Sequence, residues 1–202
     1  MARRHDPEAS RAAILDAAER LFLAHGFAGA SMSEIAKDSG ITKSLIHHHF
    51  GSKEALWREV KRRRFSGYHE QQMALFAQGG ESATLLRESM GVYFRFLRDN
   101  PDTVRLMSWV TLEGDRESTE MIQELRDAGI EQIRAAQQAG VVRSDLSAPF
   151  LLITFLGLGK AWFADPSNAA EDATVADAYL ETAWALFSGG VVARASSGPA
   201  PD

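Results

Sequence analysis

The chain has 202 residues, of which 45% are hydrophobic and 24% are charged, a balance typical of a globular protein of one or two domains. It has no cysteine, which excludes disulfide bonds, thiolate metal sites and cysteine nucleophiles. Residues 1–64 hold 12 Lys/Arg against 8 Asp/Glu, whereas residues 65–202 hold 10 against 19. This basic N-terminal part on an acidic remainder suggests that only the N-terminal part meets a polyanion.

The sequence contains no sign of a membrane segment or of secretion. No apolar run reaches the roughly 18 residues that a membrane span needs. The polar start, MARRHDPEASR, lacks the apolar stretch of a secretory signal. We therefore expect a cytoplasmic protein that does not contact a membrane.

Helix signals follow one another along the first 78 residues. Asp6-Pro7-Glu8 combines an N-cap, a proline at the first helical position and an acid in the first turn. Ser31-Met32-Ser33-Glu34 matches a capping box, and Thr42 and Ser52 are further N-cap candidates. Glycines mark the ends of the first three segments. The predicted helices span residues 7 to about 25, 32–39, 43 to about 50 and 53 to about 78.

The remainder of the chain also has helical periodicity, and no segment alternates as a strand does. The predicted helices lie at about 82–99, 101–113, 117–139, 147–164 and 172–190. We therefore predict an all-α protein with a three-helix head at residues 1–51 and a larger helical body at residues 52–194. The small, polar, proline-containing segment 195–202 is expected to be disordered.

Three helices with a tight turn around Gly40-Ile41 have the layout of a helix-turn-helix. Ile35, Ile41 and Ile46 lie where its last two helices must pack. The last helix presents short polar, basic and small apolar groups near its N-terminus, namely Thr42, Lys43, Ser44, Leu45, His47 and His48. Lysines and hydroxyls donate to base edges, and a leucine can contact a thymine methyl. We predict that these six residues contact double-stranded DNA.

The segment SMSEIAKDSGITKSLIHHHFGSKEALW closely resembles the DNA-binding domain of the TetR family of transcriptional regulators. Those proteins carry Ala-Gly-Val-Ser-Lys, then aromatic-x-aromatic-Phe, then Ser-Lys-Glu-x-Leu, and the match covers roughly residues 9–57. His47 and His49 stand where the family usually has tyrosines. The resemblance places His47 where a tyrosine commonly contacts a DNA phosphate, a contact that a neutral histidine makes more weakly. Lys53 is expected to contact phosphate at a helix N-terminus.

The run His47-His48-His49 also raises the possibility of a metal site. Successive helical side chains lie about 100° apart, so three neighbours cannot converge on one ion. We expect no metal and no cofactor, with His49 packed in the core of the head. Two alternatives stay open from the sequence. One is a metal-dependent hydrolase that uses this run, and the other is a protein-interaction module with a degenerate DNA-binding head.

The body carries no catalytic constellation, so we expect that the protein is not an enzyme. The GLGK sequence at 157–160 lacks the first glycine of a phosphate-binding loop, and no serine is flanked as in a nucleophile elbow. Trp109 and Glu113 lie one helical turn apart and could line a ligand cavity. The basic run at residues 61–64 is expected to form a solvated helical face.

In TetR-family proteins the body binds an effector and dimerises through its last two helices. The stretch 150–163 (FLLITFLGLGKAWF) is apolar all round, which fits such an interface with the helix at 172–190. Two-fold symmetry would place two recognition helices about 34–36 Å apart on a near-palindromic operator. The resemblance thus implies a homodimeric, DNA-binding regulator, a repressor that a small-molecule effector releases from its operator.

Overall fold

The protein is all-α throughout the part of the chain that the structure, a computed structural model, describes: residues 6–116, 119–170 and 172–191. Two short 3-10 helices, Trp162–Ala164 and Pro166–Ala170, lie between the last two α-helices. The α-helices are Pro7–Gly29 (α1), Met32–Ser39 (α2), Lys43–Phe50 (α3), Lys53–Gln78 (α4), Ser82–Asp99 (α5), Pro101–Leu112 (α6), Glu120–Gln138 (α7), Ala148–Ala161 (α8) and Ala173–Val191 (α9). None of these helices is long and apolar enough to cross a membrane. The expected tail at 195–202 lies outside the described residues.

Most helix ends lie where the capping residues predict them. α4 and α5 have the predicted bounds, and α2 ends at Gly40 in the left-handed conformation (φ 69°, ψ 14°). α1 differs, because it continues to Gly29 across a break at Gly26 (φ 72°, ψ −177°). The predicted stop at His25-Gly26 is therefore a sharp kink, followed by one further turn.

The chain forms two compact units, and the first contains residues 1–67 and 100–122. It holds α1, α2, α3, the first part of α4, and α6. This division differs from the expected boundary between residues 51 and 52. Leu56, Trp57 and Val60 of α4 and Leu106 of α6 are buried in the same apolar cluster as Ile14 and the other core residues of α1.

α6 belongs to this first unit because its C-terminal end binds the kink of α1. The indole Nε1 of Trp109 donates to the carbonyl oxygen of Leu23 at 3.1 Å. The Glu113 carboxylate accepts hydrogen bonds from the backbone N–H groups of Phe27 and Ala28, both at 3.0 Å. The side chains of Trp109 and Glu113, which from sequence could have lined a ligand cavity, therefore both bind α1.

The basic run 61–64 is not a solvated face, contrary to the expectation from sequence. The Lys61 side chain is only 2% exposed, and its ammonium group binds Asp115 Oδ2 at 2.7 Å. The same oxygen accepts a hydrogen bond from the Trp57 indole at 2.7 Å. Arg63 and Arg64 both pair with Glu19 of α1, which is itself buried. These cations hold α4 to its neighbours inside the first unit.

The second unit contains residues 68–99 and 123–202, of which the described parts are the end of α4 together with α5, α7, α8 and α9. Large apolar side chains from α5, α7, α8 and α9 form its core, among them Met90, Ile133, Phe155 and Phe187. α8 carries apolar side chains on both its buried and its exposed sides, as its sequence predicts. It buries Leu151, Leu152 and Phe155, while Phe150 and Ile153 are 71% and 61% exposed.

Candidate nucleic-acid interface

Local signals in the sequence build the helix-turn-helix. The Ser31 hydroxyl accepts from the backbone N–H of Glu34 at 3.2 Å, and the Glu34 carboxylate accepts from the backbone N–H of Ser31 at 3.0 Å. The Ser31 hydroxyl also donates to the Glu34 carboxylate at 2.7 Å. This hydrogen bond, and then the one from the Ser31 backbone N–H, lower the pKa of Glu34, which keeps the capping carboxylate charged. Gly40 then turns the chain in a conformation that other residues adopt at a cost. α2 is thus fixed at both ends ahead of α3.

α3 buries one side and leaves the predicted DNA-contacting residues on the other. Ile46 is fully buried against the core that contains Ile35. Thr42 caps the helix by accepting from the backbone N–H of Leu45 at 3.4 Å. Leu45 is half-buried, and the other predicted contacts are exposed, namely Thr42, Lys43, Ser44, His47 and His48. The structure therefore places Thr42, Lys43 and Ser44 at the N-terminal end of α3 and His47 and His48 in its last turn.

His47 has a defined ring orientation. Its Nδ1 lies 2.8 Å from the carbonyl oxygen of Gly51, and a carbonyl can only accept, so Nδ1 carries the proton. In the neutral ring Nε2 then has a lone pair and no proton. Only the protonated imidazolium can donate from Nε2 to a phosphate oxygen. The Gly51 contact thus makes the donor at this position depend on protonation.

The other two histidines do not join His47 in a cluster. His49 is half-buried and its ring centroid lies 6.2 Å from that of Phe50, so it is only partly in the expected core position. The ring centroids of His48 and His49 are 5.8 Å apart. No group of three or more His, Asp or Glu side chains suited to a metal ion occurs among the residues that the structure describes.

Lys53 has an internal partner that the sequence did not predict. Its ammonium group donates to the carbonyl oxygen of Ala30 at 2.7 Å and lies 4.4 Å from the ring centroid of Phe27. These contacts tie the start of α4 to the loop between α1 and α2. An ammonium group has three donors, so the hydrogen bond to Ala30 leaves capacity for a phosphate oxygen.

Lys37 and Lys43 differ from the other cations near the helix-turn-helix. Both are exposed, and within the described residues neither has an ion pair. Arg20 instead pairs with Asp38 at 2.8 Å, and Arg11 pairs with Glu59 at 2.6 Å. Lys37 was not predicted from the sequence as a DNA contact, although its position in the last turn of α2 can be recognised in the sequence. The uncompensated positive charge of this region thus includes one lysine on each of the two helices.

Comparison with known proteins agrees with this geometry. The family model described as "Bacterial regulatory proteins, tetR family" matches residues 14–60, which include α2 and α3. The model described as "Tetracyclin repressor-like, C-terminal domain" matches residues 87–185. The chain belongs to the TetR family. Members of the TetR family are transcriptional regulators and not enzymes, so the hydrolase alternative is wrong.

Three similar proteins illustrate the relationship. The HTH-type transcriptional regulator Rv1255c of Mycobacterium tuberculosis is 37% identical over 110 residues, which are 54% of this chain and 52% of that relative. The HTH-type transcriptional repressor SCO4008 of Streptomyces coelicolor is 28% identical over 162 residues, 77% of this chain and 79% of the relative. The crystal structure of AibR in complex with isovaleryl coenzyme A and operator DNA covers 88% of this chain and 97% of its own. Its TM-score is 0.68 at 20% identity, which shows a shared fold. The chain spans about half the length of the first of these relatives.

Proposed function

We propose that this TetR-family protein is a homodimeric repressor that binds a near-palindromic DNA operator and leaves it when a small molecule binds. The observation that carries the proposal is the exposed face of α3, where Lys43 has no ion pair with any described residue and Thr42 and Ser44 offer hydroxyls beside it. These groups suit base edges in a major groove. The complex of AibR with both operator DNA and isovaleryl coenzyme A supports a regulator with two kinds of ligand.

An exposed apolar face on α8 and α9 supports dimerisation. Phe150 and Ile153 of α8 and Leu186 of α9 are 71%, 61% and 65% exposed. A groove of about 490 Å³ runs between the same two helices, lined by Leu151, Phe187 and their neighbours. Contiguous apolar surface of this kind marks an interface, because exposing it to water is unfavourable. We propose that a second copy of the chain covers it through an isologous contact.

The set of helices in the first unit supports a mechanism by which effector binding releases the protein from DNA. α4 contributes residues to both units, and α6 belongs to the first unit although α5 and α7 on either side of it belong mainly to the second. We propose that effector binding in the second unit moves α4 and α6, and with them α1 and the helix-turn-helix. The effector must bind the DNA-incompetent arrangement more tightly, with a coupling of about 1–3 kcal/mol typical of such systems.

A selection of bound DNA from random fragments tests the operator proposal. We expect two half-sites whose centres are one helical turn apart, and an affinity that falls steeply with salt. Recovery of no near-palindromic site at physiological salt would overturn the proposal.

Variants then separate the proposed roles of individual residues. Exchange of Lys43 and Ser44 for alanine should abolish preference for the selected site, whereas Lys53→Ala should weaken binding to all sequences alike. Arg126→Ala is the matched control, since it removes one exposed positive charge from the second unit.

Light scattering of purified variants tests the dimer. Leu186→Glu places a charge in the proposed interface and should give a monomer at micromolar concentration. Leu112→Glu is the matched control because Leu112 is even more exposed, at 76%, but lies on α6. Dimers of equal strength in both variants would show that α9 is not the interface.

A further inference from the structure

The interior of the second unit contains polar groups whose hydrogen bonds are incomplete. Gln72 of α4 is only 2% exposed, and its amide Nε2 donates to the Ser89 hydroxyl of α5. The amide oxygen of Gln72 has no hydrogen-bond partner in the part of the chain that the structure describes. If the amide is turned over, the nitrogen lacks a partner instead, so one end of this buried group is unsatisfied in either orientation. A buried polar group in that state costs folding free energy, and such groups call for an explanation.

Two tyrosines lie one helical turn from this pair, Tyr68 before Gln72 on α4 and Tyr93 after Ser89 on α5. Tyr68 of α4 and Tyr93 of α5 are 8% and 4% exposed, and their ring centroids are 5.6 Å apart. Neither hydroxyl forms a hydrogen bond with another described residue, whereas the Tyr179 hydroxyl donates to the carbonyl oxygen of Leu158 at 2.7 Å. Burial raises the pKa of Tyr68 and of Tyr93, so both hydroxyls stay protonated and able to donate.

The surroundings of these groups are aromatic and uncharged. The ring of Phe96 stacks on that of Tyr68 with centroids 5.1 Å apart and planes 25° apart. The ring of Tyr93 packs so closely on α8 that a Cβ atom at Gly159 would lie 2.9 Å from it. Among the described residues the two buried charged side chains, Glu19 and Lys61, belong to the first unit. An ionised ligand would therefore find no buried charge in the second unit to offset its desolvation.

We propose that Tyr68, Gln72, Ser89 and Tyr93 form the effector site, and that the effector is an uncharged, hydroxylated compound with an aromatic or alicyclic body. A hydroxyl group both donates and accepts, so it satisfies Gln72 in either amide orientation. The flat body replaces part of the contact among the rings of Tyr68, Tyr93 and Phe96. This inference rests on the proposed function, since it names the class of small molecule that releases the repressor.

A charged groove elsewhere in the second unit is the alternative site for an effector, and it predicts a different preferred ligand. It lies between α5 and α9, has a volume of about 300 Å³ and is lined by side chains that include Arg87, Glu88, Arg95 and Glu181. Arg95 has no ion pair among the described residues. An anionic effector would favour this groove over the neutral cluster, so the charge of the preferred ligand distinguishes the two.

Calorimetry on the 202-residue protein without DNA tests the class of ligand. The probes are 2-naphthol, 2-methoxynaphthalene and 2-naphthoate, which share a ring system but differ in donor and charge. We expect 2-naphthol to bind at least roughly tenfold more tightly than either of the others, because it alone can donate a hydrogen bond to the unpaired amide oxygen of Gln72. Failure of 2-naphthol to bind more tightly than both would overturn the proposal.

Variants assign that preference to the cluster. Gln72→Leu and Tyr68→Phe should each remove most of the preference for 2-naphthol over 2-methoxynaphthalene. Tyr179→Phe is the matched control, since its hydroxyl has an internal partner, and it should keep the preference. An unchanged preference in Gln72→Leu, or a loss in Tyr179→Phe alone, would contradict the assignment.

A second measurement needs no ligand. If Gln72 and Ser89 serve a ligand and not the fold, the double variant Gln72→Leu/Ser89→Ala should keep its Tm within about 3 °C of the wild type or raise it. A larger fall in Tm would show that the pair is structural and overturn the proposal. Operator binding by the wild type and by the double variant is measured in a separate experiment. Absence of operator binding by the wild type would contradict the repressor proposal, whereas the Tm values test only the effector site.

Discussion

The two units bury different kinds of polar group. The first unit buries charges and pairs them, as with Lys61 against Asp115 and Glu19 against Arg63 and Arg64. The second buries the neutral side chains of Gln72 and Ser89 and, among the described residues, no charged one. Each unit also contains a buried oxygen without a hydrogen-bond partner among the described residues, Thr103 Oγ1 in the first and Gln72 Oε1 in the second. A buried unpaired charge is far more costly than a buried unpaired amide, so the paired charges of the first unit define one geometry, which suits a DNA-binding head.

The largest expected effect comes from breaking the buried ion pair of the first unit. Asp115→Ala leaves the Lys61 ammonium group without this partner at 2% exposure and should lower the free energy of unfolding by about 3–5 kcal/mol. Urea unfolding measures the change. Asp145→Ala is the control, because it removes a carboxylate from the exposed pair with Arg143 and should cost far less than Asp115→Ala. Equal losses in the two variants would remove the contrast between the units.

A second prediction concerns the kink of α1. Gly26→Ala places a side chain at φ 72°, and the new Cβ would lie 2.5 Å from Glu113 Oε1 and 2.7 Å from Trp109 Cε3. We expect a loss of about 2–4 kcal/mol in the free energy of unfolding, from backbone strain and displacement of α6. Gly67→Ala is the matched control, since its Cβ meets nothing within 4 Å. A stable Gly26→Ala protein would show that α6 is not tightly held at the kink.

The ion pairs of Glu59, which lie nearer the surface, should contribute less to the free energy of unfolding, and their contribution should depend on pH. Hydrogen bonds from Arg62 and then Arg11 lower the pKa of Glu59 to about 2 from its usual 4.5. A lowered carboxyl pKa stabilises the fold above pH 4.5, and this contribution is lost as the pH falls towards 2. After allowance for solvent screening, Glu59→Gln should lose about 1 kcal/mol at pH 7 and nothing relative to the wild type near pH 2.

Urea unfolding of both proteins across that pH range measures the difference. A difference that stays constant from pH 7 to pH 2.5 would contradict the assignment to Glu59. The control Glu131→Gln, in an exposed pair with Arg134, should change stability at pH 7 by less than about 0.5 kcal/mol.

The smallest effect is expected on DNA affinity at His47. Because Nδ1 binds the Gly51 carbonyl, Nε2 gains a proton to donate only when the ring is charged. A tyrosine hydroxyl carries its own proton at neutral pH. His47→Tyr should therefore raise operator affinity a few-fold at a fixed pH. Fluorescence anisotropy at constant ionic strength tests this, with His48→Gln as the control for the neighbouring exposed ring.

Local chemistry explains which features could be predicted from the sequence. The capping box at Ser31, the left-handed Gly40 and the N-cap Thr42 act within three or four residues, so the bounds of α2 and α3 were predictable. The resemblance to the TetR family supplied the rest of the functional prediction.

What could not be predicted depends on partners that are distant in the chain. Glu113 meets Phe27 across 86 residues, and Lys61 meets Asp115 across 54. A basic run has the same appearance in sequence whether it faces solvent or a buried carboxylate. Lys53 likewise shows no sign of its contact with the Ala30 carbonyl. Each of these interactions is set by tertiary packing, which capping and periodicity do not contain.

The contacts between α6 and the C-terminal end of α1 restrict where the chain can be cut to make fragments or hybrid proteins. A fragment ending at residue 51 or 67 lacks Glu113, so the N–H groups of Phe27 and Ala28 lose the carboxylate that binds them. A fragment ending at residue 67 also leaves Trp57 and Lys61 without Asp115. A hybrid regulator that grafts this head onto a foreign body should therefore carry residues 100–116 with it as a second, non-contiguous insert.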